Sequence, residues 1–139
     1  MKANDDWFVV IDEKEAEEKY TLIRENSLVF SPDSKQLAYV AKGANIVKWF
    51  VVVGVKKHKE YDFIAEGGLL FSPDSKHIVY KAMEGTKWCV VVDDIEGKPY
   101  DGILAYTLGE KSIVFDSVTS FYYLARKENA IYLVEERLK

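Results

Sequence analysis

The residues of this 139-residue chain best suited to nucleophilic or zinc chemistry are two histidines and one cysteine. His58 stands among lysines in KKHKE, which we expect to be a solvated, charged turn, and His77 follows the lysine of FSPDSKH. Neither histidine has a partner at the spacing that a zinc site or a Cys–His nucleophilic pair requires. Cys89, in WCVVV, takes a position that is Phe in related segments, which indicates a buried core residue. The sequence therefore predicts no catalytic residue, no metal and no cofactor.

Acidic residues form two patterns that we considered for chemistry. Asp12, Glu13 and Glu15 are the best calcium candidates, but a calcium site needs more oxygen ligands than one such loop supplies. Glu66 and Glu110 hold near-equivalent positions in two predicted mouth loops, where a hydrolase would need a pair of carboxylates. The calcium set reads better as a turn that caps backbone amides. A hydrolase that uses Glu66 and Glu110 is therefore kept as an alternative function, after the binding module and the receptor described below.

A repeat of about 41 residues sets the elements that position these side chains. The segment FSPDSK occurs at 30–35 and again at 71–76, and residues 30–39 and 71–80 share seven of ten identities. Three tryptophan segments, WFVV, WFVV and WCVV, recur with a tyrosine 13, 12 and 12 residues after the tryptophan: Trp7 and Tyr20, Trp49 and Tyr61, Trp88 and Tyr100. Repeats with constant order and spacing predict stacked copies of one structural unit.

Each unit reads as four short strands. The first runs into FSPDSK, which is a turn because Pro fixes φ and Asp and Ser bond to nearby amides. The third, at the tryptophan, is an unbroken apolar run and should be buried on both faces. The fourth is predicted to begin at the tyrosine, so that 12–20, 54–61 and 93–100 are loops, despite the helix propensity of 12–20. The predicted first strands are 28–30, 69–71 and 113–115, and the second strands are 36–41, 77–82 and 121–126.

Antiparallel units of four strands every 40-odd residues are typical of β-propeller blades. The segment FSPDSKQLAYVAK followed by KWFVVV resembles the WD-repeat-like blades of TolB-type propellers, over nearly the whole chain. The resemblance implies an all-β fold and says little about function. The third copy, FDSVTSFYY, departs from the pattern because it lacks the turn, and no Trp-Asp dipeptide ends a blade.

The predicted domain is a single one with end strands in 1–26, blades in 27–66 and 67–111, and a partial blade in 112–139. These segments supply two, four, four and three strands. Three blades are too few for a ring, so we expect a six-bladed homodimer in which each N-terminal pair completes the partner's C-terminal blade. A tightly closed monomer and a larger ring are alternatives. Because both termini offer a third strand, one of the two is open to interpretation as a fifth strand, as an outer strap, or as a helix at 133–139.

The mouth of such a ring is the predicted binding surface. Lys81 is the most unusual residue there, because it stands where the other copies have Val40 and Leu124. It is either a lysine that reaches solvent or a cation directed at an anionic ligand. The full set of predicted ligand- or partner-binding residues is Arg24, Glu66, Lys81, Glu110, Lys111 and Arg126.

Composition narrows the function classes. The net charge of −4 disfavours a nucleic-acid or anionic-membrane surface, and no apolar run reaches the length of a membrane span. The single cysteine fits a reducing compartment, so we expect a cytoplasmic protein. We expect a non-catalytic binding or scaffold module that homodimerises. The alternative is a sequestering receptor for a small anionic metabolite or nucleotide, held in the axial pocket by Lys81, Arg24 or Arg126.

Overall fold

The computed structural model describes residues 6–43, 47–65, 68–104 and 112–138. These residues form an all-β fold, as the repeat predicts, with one turn of 3₁₀ helix at Glu25–Ser27. Every strand pair is antiparallel, and no sheet closes on itself within the described ranges. The strands are β1 (Val10–Ile11), β2 (Lys14–Glu15), β3 (Leu22–Ile23), β4 (Val29–Phe30), β5 (Leu37–Lys42), β6 (Phe50–Val53), β7 (Lys56–Lys57), β8 (Phe63–Ile64), β9 (Leu70–Phe71), β10 (Ile78–Glu84), β11 (Lys87–Val92), β12 (Ile95–Glu96), β13 (Gly102–Ile103), β14 (Ile113–Ser117), β15 (Ser120–Lys127) and β16 (Ala130–Arg137).

An N-terminal hairpin (β1–β2) is followed by three larger sheets of related topology: sheet I (β3–β7), sheet II (β8–β12) and sheet III (β13–β16). In each sheet a long central strand pairs on one side with the next strand of the chain. On its other side it pairs with two short strands that together form an interrupted edge. When each interrupted edge is counted once, the described strands number two in the hairpin, four in sheet I, four in sheet II and three in sheet III.

The predicted start of the fourth strand is wrong. The outer strand begins directly after a two-residue turn, as in the pairing of Val92 with Ile95, so the stretches predicted to be loops contain β2, β7 and β12. Asp93 and Asp94 make such a tight turn possible because both adopt left-handed backbone conformations, with φ of 49° and 72°. Tyr100 then pairs back with Trp88 and ends the outer strand, and the residues after it cross to the next sheet.

The repeated turn forms as the sequence predicts. In the second copy Ser72 Oγ donates to Asp74 Oδ1 at 2.6 Å and accepts from the His77 amide at 3.1 Å. The same bonds recur in the first copy, from Ser31 to Asp33 at 2.6 Å and from the Gln36 amide to Ser31 Oγ at 3.1 Å. The third copy has a register shift between Phe115 and Ser117 instead, which agrees with its loss of the turn sequence.

The sheets stack face to face, with one hydrophobic cluster between each neighbouring pair. The front face of a sheet carries the repeated tyrosine of its central strand and packs against the preceding unit; the back face packs against the following one. In sheet II, for example, Tyr80 joins the cluster shared with sheet I, whereas Val79 joins the one shared with sheet III. The tryptophan strands β6 and β11 are therefore buried on both faces, as predicted. The prediction is wrong for the first tryptophan strand, where Trp7, Phe8 and Val10 are exposed because no sheet covers the front of the hairpin. Cys89 is part of this core, also as predicted.

The C-terminal stretch is a strand and not a helix as far as Arg137. β16 pairs with β15 through eight residue pairs, from Lys127 with Ala130 to Ser120 with Arg137. The following residue, Leu138, is buried and donates its amide to the Thr119 carbonyl at 2.6 Å. Sheet III thus contains its own third strand, and the helix interpretation of 133–139 is wrong for the part of it in β16.

Candidate functional site

Arg24 lies where the edge strand of sheet I is interrupted, directly before the 3₁₀ turn. Its guanidinium stacks over Trp49, 4.3 Å from the ring centroid, and lies 5.2 Å from the centroid of Phe63. Its Nη1 donates to the Ile64 carbonyl at 2.8 Å. Since Phe63 and Ile64 belong to sheet II, Arg24 joins two sheets, and cation–π stacking adds to that contact.

Lys81 lies on the back face of central strand β10, between sheets II and III. Its Nζ donates to Ser112 Oγ at 2.8 Å, and Ser112 is itself buried just before β14. Burial lowers the pKa of Lys81 because an ammonium group loses hydration there. The lysine therefore has a specific acceptor inside the stack.

Arg126 lies at the exposed end of β15, on the back face of sheet III. Its Nη1 donates to the Glu128 carbonyl at 3.2 Å and lies 4.0 Å from Asp101 Oδ2. Arg24, Lys81 and Arg126 thus occupy three different places and do not converge within one chain. The other predicted binding residues, Glu66, Glu110 and Lys111, lie outside the described residues.

Both histidines instead meet in a polar cleft between sheets I and II. The cleft has a volume of about 210 Å³ and lies along the edge of the sheets where the FSPDSK turns enter the central strands. The predicted mouth loops begin from the opposite end of the central strands. The polar residues that line the cleft are Gln36, Lys56, His58, Ser75, Lys76, His77 and Asp93.

His58 is buried, with its Nδ1 2.9 Å from the Tyr80 hydroxyl and 3.9 Å from Asp94 Oδ1. Burial lowers the pKa of His58, although the charge of Asp94 acts in the opposite direction. The sequence placed this histidine in a solvated, charged turn, and that placement is wrong. Gly97 and Ala16 hold the equivalent position in the other copies, because their amides donate to the third strand as the amide of His58 does. Both side chains are small, so the repeat does not indicate that a larger side chain at this position is buried.

His77 pairs with an aspartate of the β11–β12 turn. Its Nδ1 lies 2.5 Å from Asp93 Oδ2, and Asp93 Oδ1 accepts from the Ile78 amide at 3.0 Å. The neighbouring Asp94 accepts from the Lys59 amide at 2.9 Å and so connects sheet II to sheet I. These carboxylates cap backbone amides, which is the role that the sequence indicated for turn-opening aspartates.

The side chains that line the cleft can bind a ligand through positively charged groups and hydrogen-bond donors. Lys56 and Lys76 supply charged donors suited to a small anion, and the carboxylate of Asp93 in the same cleft is paired with His77. In the described part of the chain, no three His, Cys, Asp or Glu side chains are grouped so that they could hold a metal ion. Burial raises the pKa of Cys89 to about 11, which keeps its thiol protonated at neutral pH.

The two ends of the stack present a second candidate surface, which is apolar. At the N-terminal end the hairpin exposes Phe8 and Val10, the latter with 53% of its surface accessible. At the C-terminal end β16 exposes Ile131 and Leu133, the latter with 59% accessible. Side chains of this kind in groups are typical of surfaces that bind another protein.

Within the described ranges, no helix has the length and apolar character needed to cross a membrane. Comparisons of the chain with protein-family models, curated proteins and solved structures find no match.

Proposed function

We propose that this chain is a non-catalytic binding or scaffold module of the β-propeller type, whose stack of sheets is completed by a second copy. Repeated four-stranded units, stacked face to face through their apolar surfaces, support this proposal. Its family resemblance is to WD-repeat-like, TolB-type propellers.

The exposure of the end faces is the observation that carries the proposal. Val10 and Leu133 are more than half exposed, whereas their repeat equivalents in sheets I and II, such as Val52 and Val51, are fully buried. Burial of one such side chain stabilises an assembly by about 1.5–3 kcal/mol. An arc of three sheets leaves these positions in water, and association of two copies removes them from it.

Absolute mass in solution, measured by light scattering on a size-exclusion column across a dilution series, tests the assembly. We expect a species of twice the 15.9 kDa chain mass. A 15.9 kDa species at all concentrations would contradict the proposal.

The partner surface of this module is proposed to be the mouth loops, where Arg126 is exposed and the sequence predicts Glu66, Glu110 and Lys111 as further binding residues. Arg24 and Lys81 bond to groups inside the stack, so their substitution tests stability as well as binding. Alanine at Glu66, Glu110, Lys111 or Arg126 should weaken binding of a partner without changing the melting temperature. Unchanged binding in all four variants would exclude this surface.

The polar cleft supports a second candidate function, that of a receptor for a small anion. Lys56 and Lys76 approach it from different sheets beside His77, an arrangement suited to a phosphate or carboxylate group. A thermal-shift assay with inorganic phosphate, ADP and citrate tests this function. We expect stabilisation of the wild type and none of a Lys56→Gln, Lys76→Gln double variant, whereas Lys98→Gln, outside the cleft, should respond like wild type. No shift with any of these anions would contradict the receptor.

A further inference from the structure

Apolar residues in the third strands form a row that passes through the whole stack. Pairing registers make Val52, Val91 and Val134 equivalent, because each lies opposite the repeated tyrosine of its sheet. The residue before each one, on the opposite face, is Val51, Val90 and Leu133 respectively. In the hairpin the matching residues are Val10 and Val9, since Trp7 pairs with Tyr20 as Trp49 does with Tyr61.

Each junction inside the chain joins a back-face member of this row to a front-face member. Val9 packs on the cluster that contains Val52, Val51 shares a cluster with Val91, and Val134 packs on the cluster that contains Val90. Every internal junction is therefore of one kind, back to front. The members left over are Leu133, on the back of sheet III, and Val10, on the front of the hairpin.

These two ends are complementary to each other and not to themselves. Phe8 lies beside Val10 on the front of the hairpin, and Ile131 and Leu124 lie with Leu133 on the back of sheet III. In sheets I and II the equivalents of Phe8 are Phe50, which is 1% exposed, and Cys89, which is 9% exposed, whereas Phe8 is 37% exposed. The front face of the hairpin thus lacks the back face that covers the front faces of the other sheets. The back face of sheet III likewise lacks a front face packed on it.

We propose that two copies associate head to tail, with the back of sheet III in one copy packed on the front of the N-terminal hairpin of the other. This inference rests on the proposed assembly of two copies and specifies its contact. It also changes the expected geometry: the hairpin stacks on sheet III as a further layer and does not extend it edge to edge, because β16 already holds the third-strand position of that sheet. A head-to-tail contact made twice around a two-fold axis leaves no apolar end exposed.

Single substitutions on each face test the contact. Val10→Glu blocks the front and Leu133→Glu blocks the back, and since both residues are mostly exposed, each variant should fold, which circular dichroism would verify. Val55→Glu, at an 83% exposed turn position, is the matched control. We expect each blocking variant to raise the dissociation constant about 100-fold or more, as the loss of a buried apolar contact implies, and the control to leave it unchanged.

A mixture of the two blocked variants gives the decisive result. One intact junction remains, between the back of the Val10→Glu chain and the front of the Leu133→Glu chain, so a one-to-one pair should form where each variant alone is monomeric. Loss of dimer in only one variant would indicate a contact of like faces and overturn the inference while the assembly stands. A mixture that stays monomeric, or a dimer that neither substitution affects, would also overturn it. A monomeric wild type would overturn the proposed assembly itself.

Discussion

Substitution of Ser72 by alanine tests why the chain contains FSPDSK twice. Ser72 is fully buried, and its hydroxyl both donates to Asp74 and accepts from the His77 amide. Alanine removes both bonds and leaves a partly buried amide without its acceptor, which costs about 1–3 kcal/mol. We therefore expect the free energy of unfolding to fall by about 2 kcal/mol. With an unfolding entropy of about 2.1 cal/mol/K per residue, the melting temperature should fall by roughly 7 °C.

Urea unfolding followed by tryptophan fluorescence, at one fixed protein concentration, measures this loss. Ser117→Ala is the matched control, because Ser117 belongs to the third copy, where the turn is absent and the hydroxyl bonds to exposed groups. Its loss should stay within about 0.5 kcal/mol, as is usual for surface substitutions. Ser31→Ala, in the first copy, should reproduce the loss seen at Ser72. Equal losses at Ser72 and Ser117 would refute the assignment of the repeat to this hydrogen-bonded turn.

Three further predictions concern the backbone and two buried ionisable groups. Glu128 has φ of 54° at a turn where sheet II has Gly85 with φ of 65°. Glu128→Gly should therefore raise the free energy of unfolding by about 1 kcal/mol, and Gly85→Ala should lower it by a similar amount. Changes of the opposite sign in chemical denaturation would contradict the claim that the backbone of Glu128 is strained. Burial lowers the pKa of Lys81, so the wild type should gain stability as the pH rises from the pKa of folded Lys81 towards 10.5, and denaturation of Lys81→Met over this range should lack that gain. Burial also lowers the pKa of His58 from 6.5, so stability should fall as the pH drops below 6.5, and His58→Gln should show a shallower fall; identical pH profiles for variant and wild type would refute that contribution.

The sequence determined the inner three strands of each unit and the repeated turn, because these follow from local patterns. FSPDSK contains every group that its turn uses, from the Ser hydroxyl to the Asp carboxylate. The continuous apolar run of KWCVVV was enough to predict a strand buried on both faces. The order of the repeat also predicted a third strand at the C-terminus, although its pairing was left open until the structure placed β16 beside β15.

Only the tertiary structure decided which residues meet. Arg24 bonds to Ile64, forty positions away, and Lys81 to Ser112 in the next sheet. His58 is buried because it packs against Tyr80 of the neighbouring sheet. The other copies have a small residue at the position of His58, so the repeat does not predict this contact. Such contacts depend on where the chain crosses from one sheet to the next and on which faces then pack together. That geometry is a property of the stacked sheets, and no local pattern of residue types contains it.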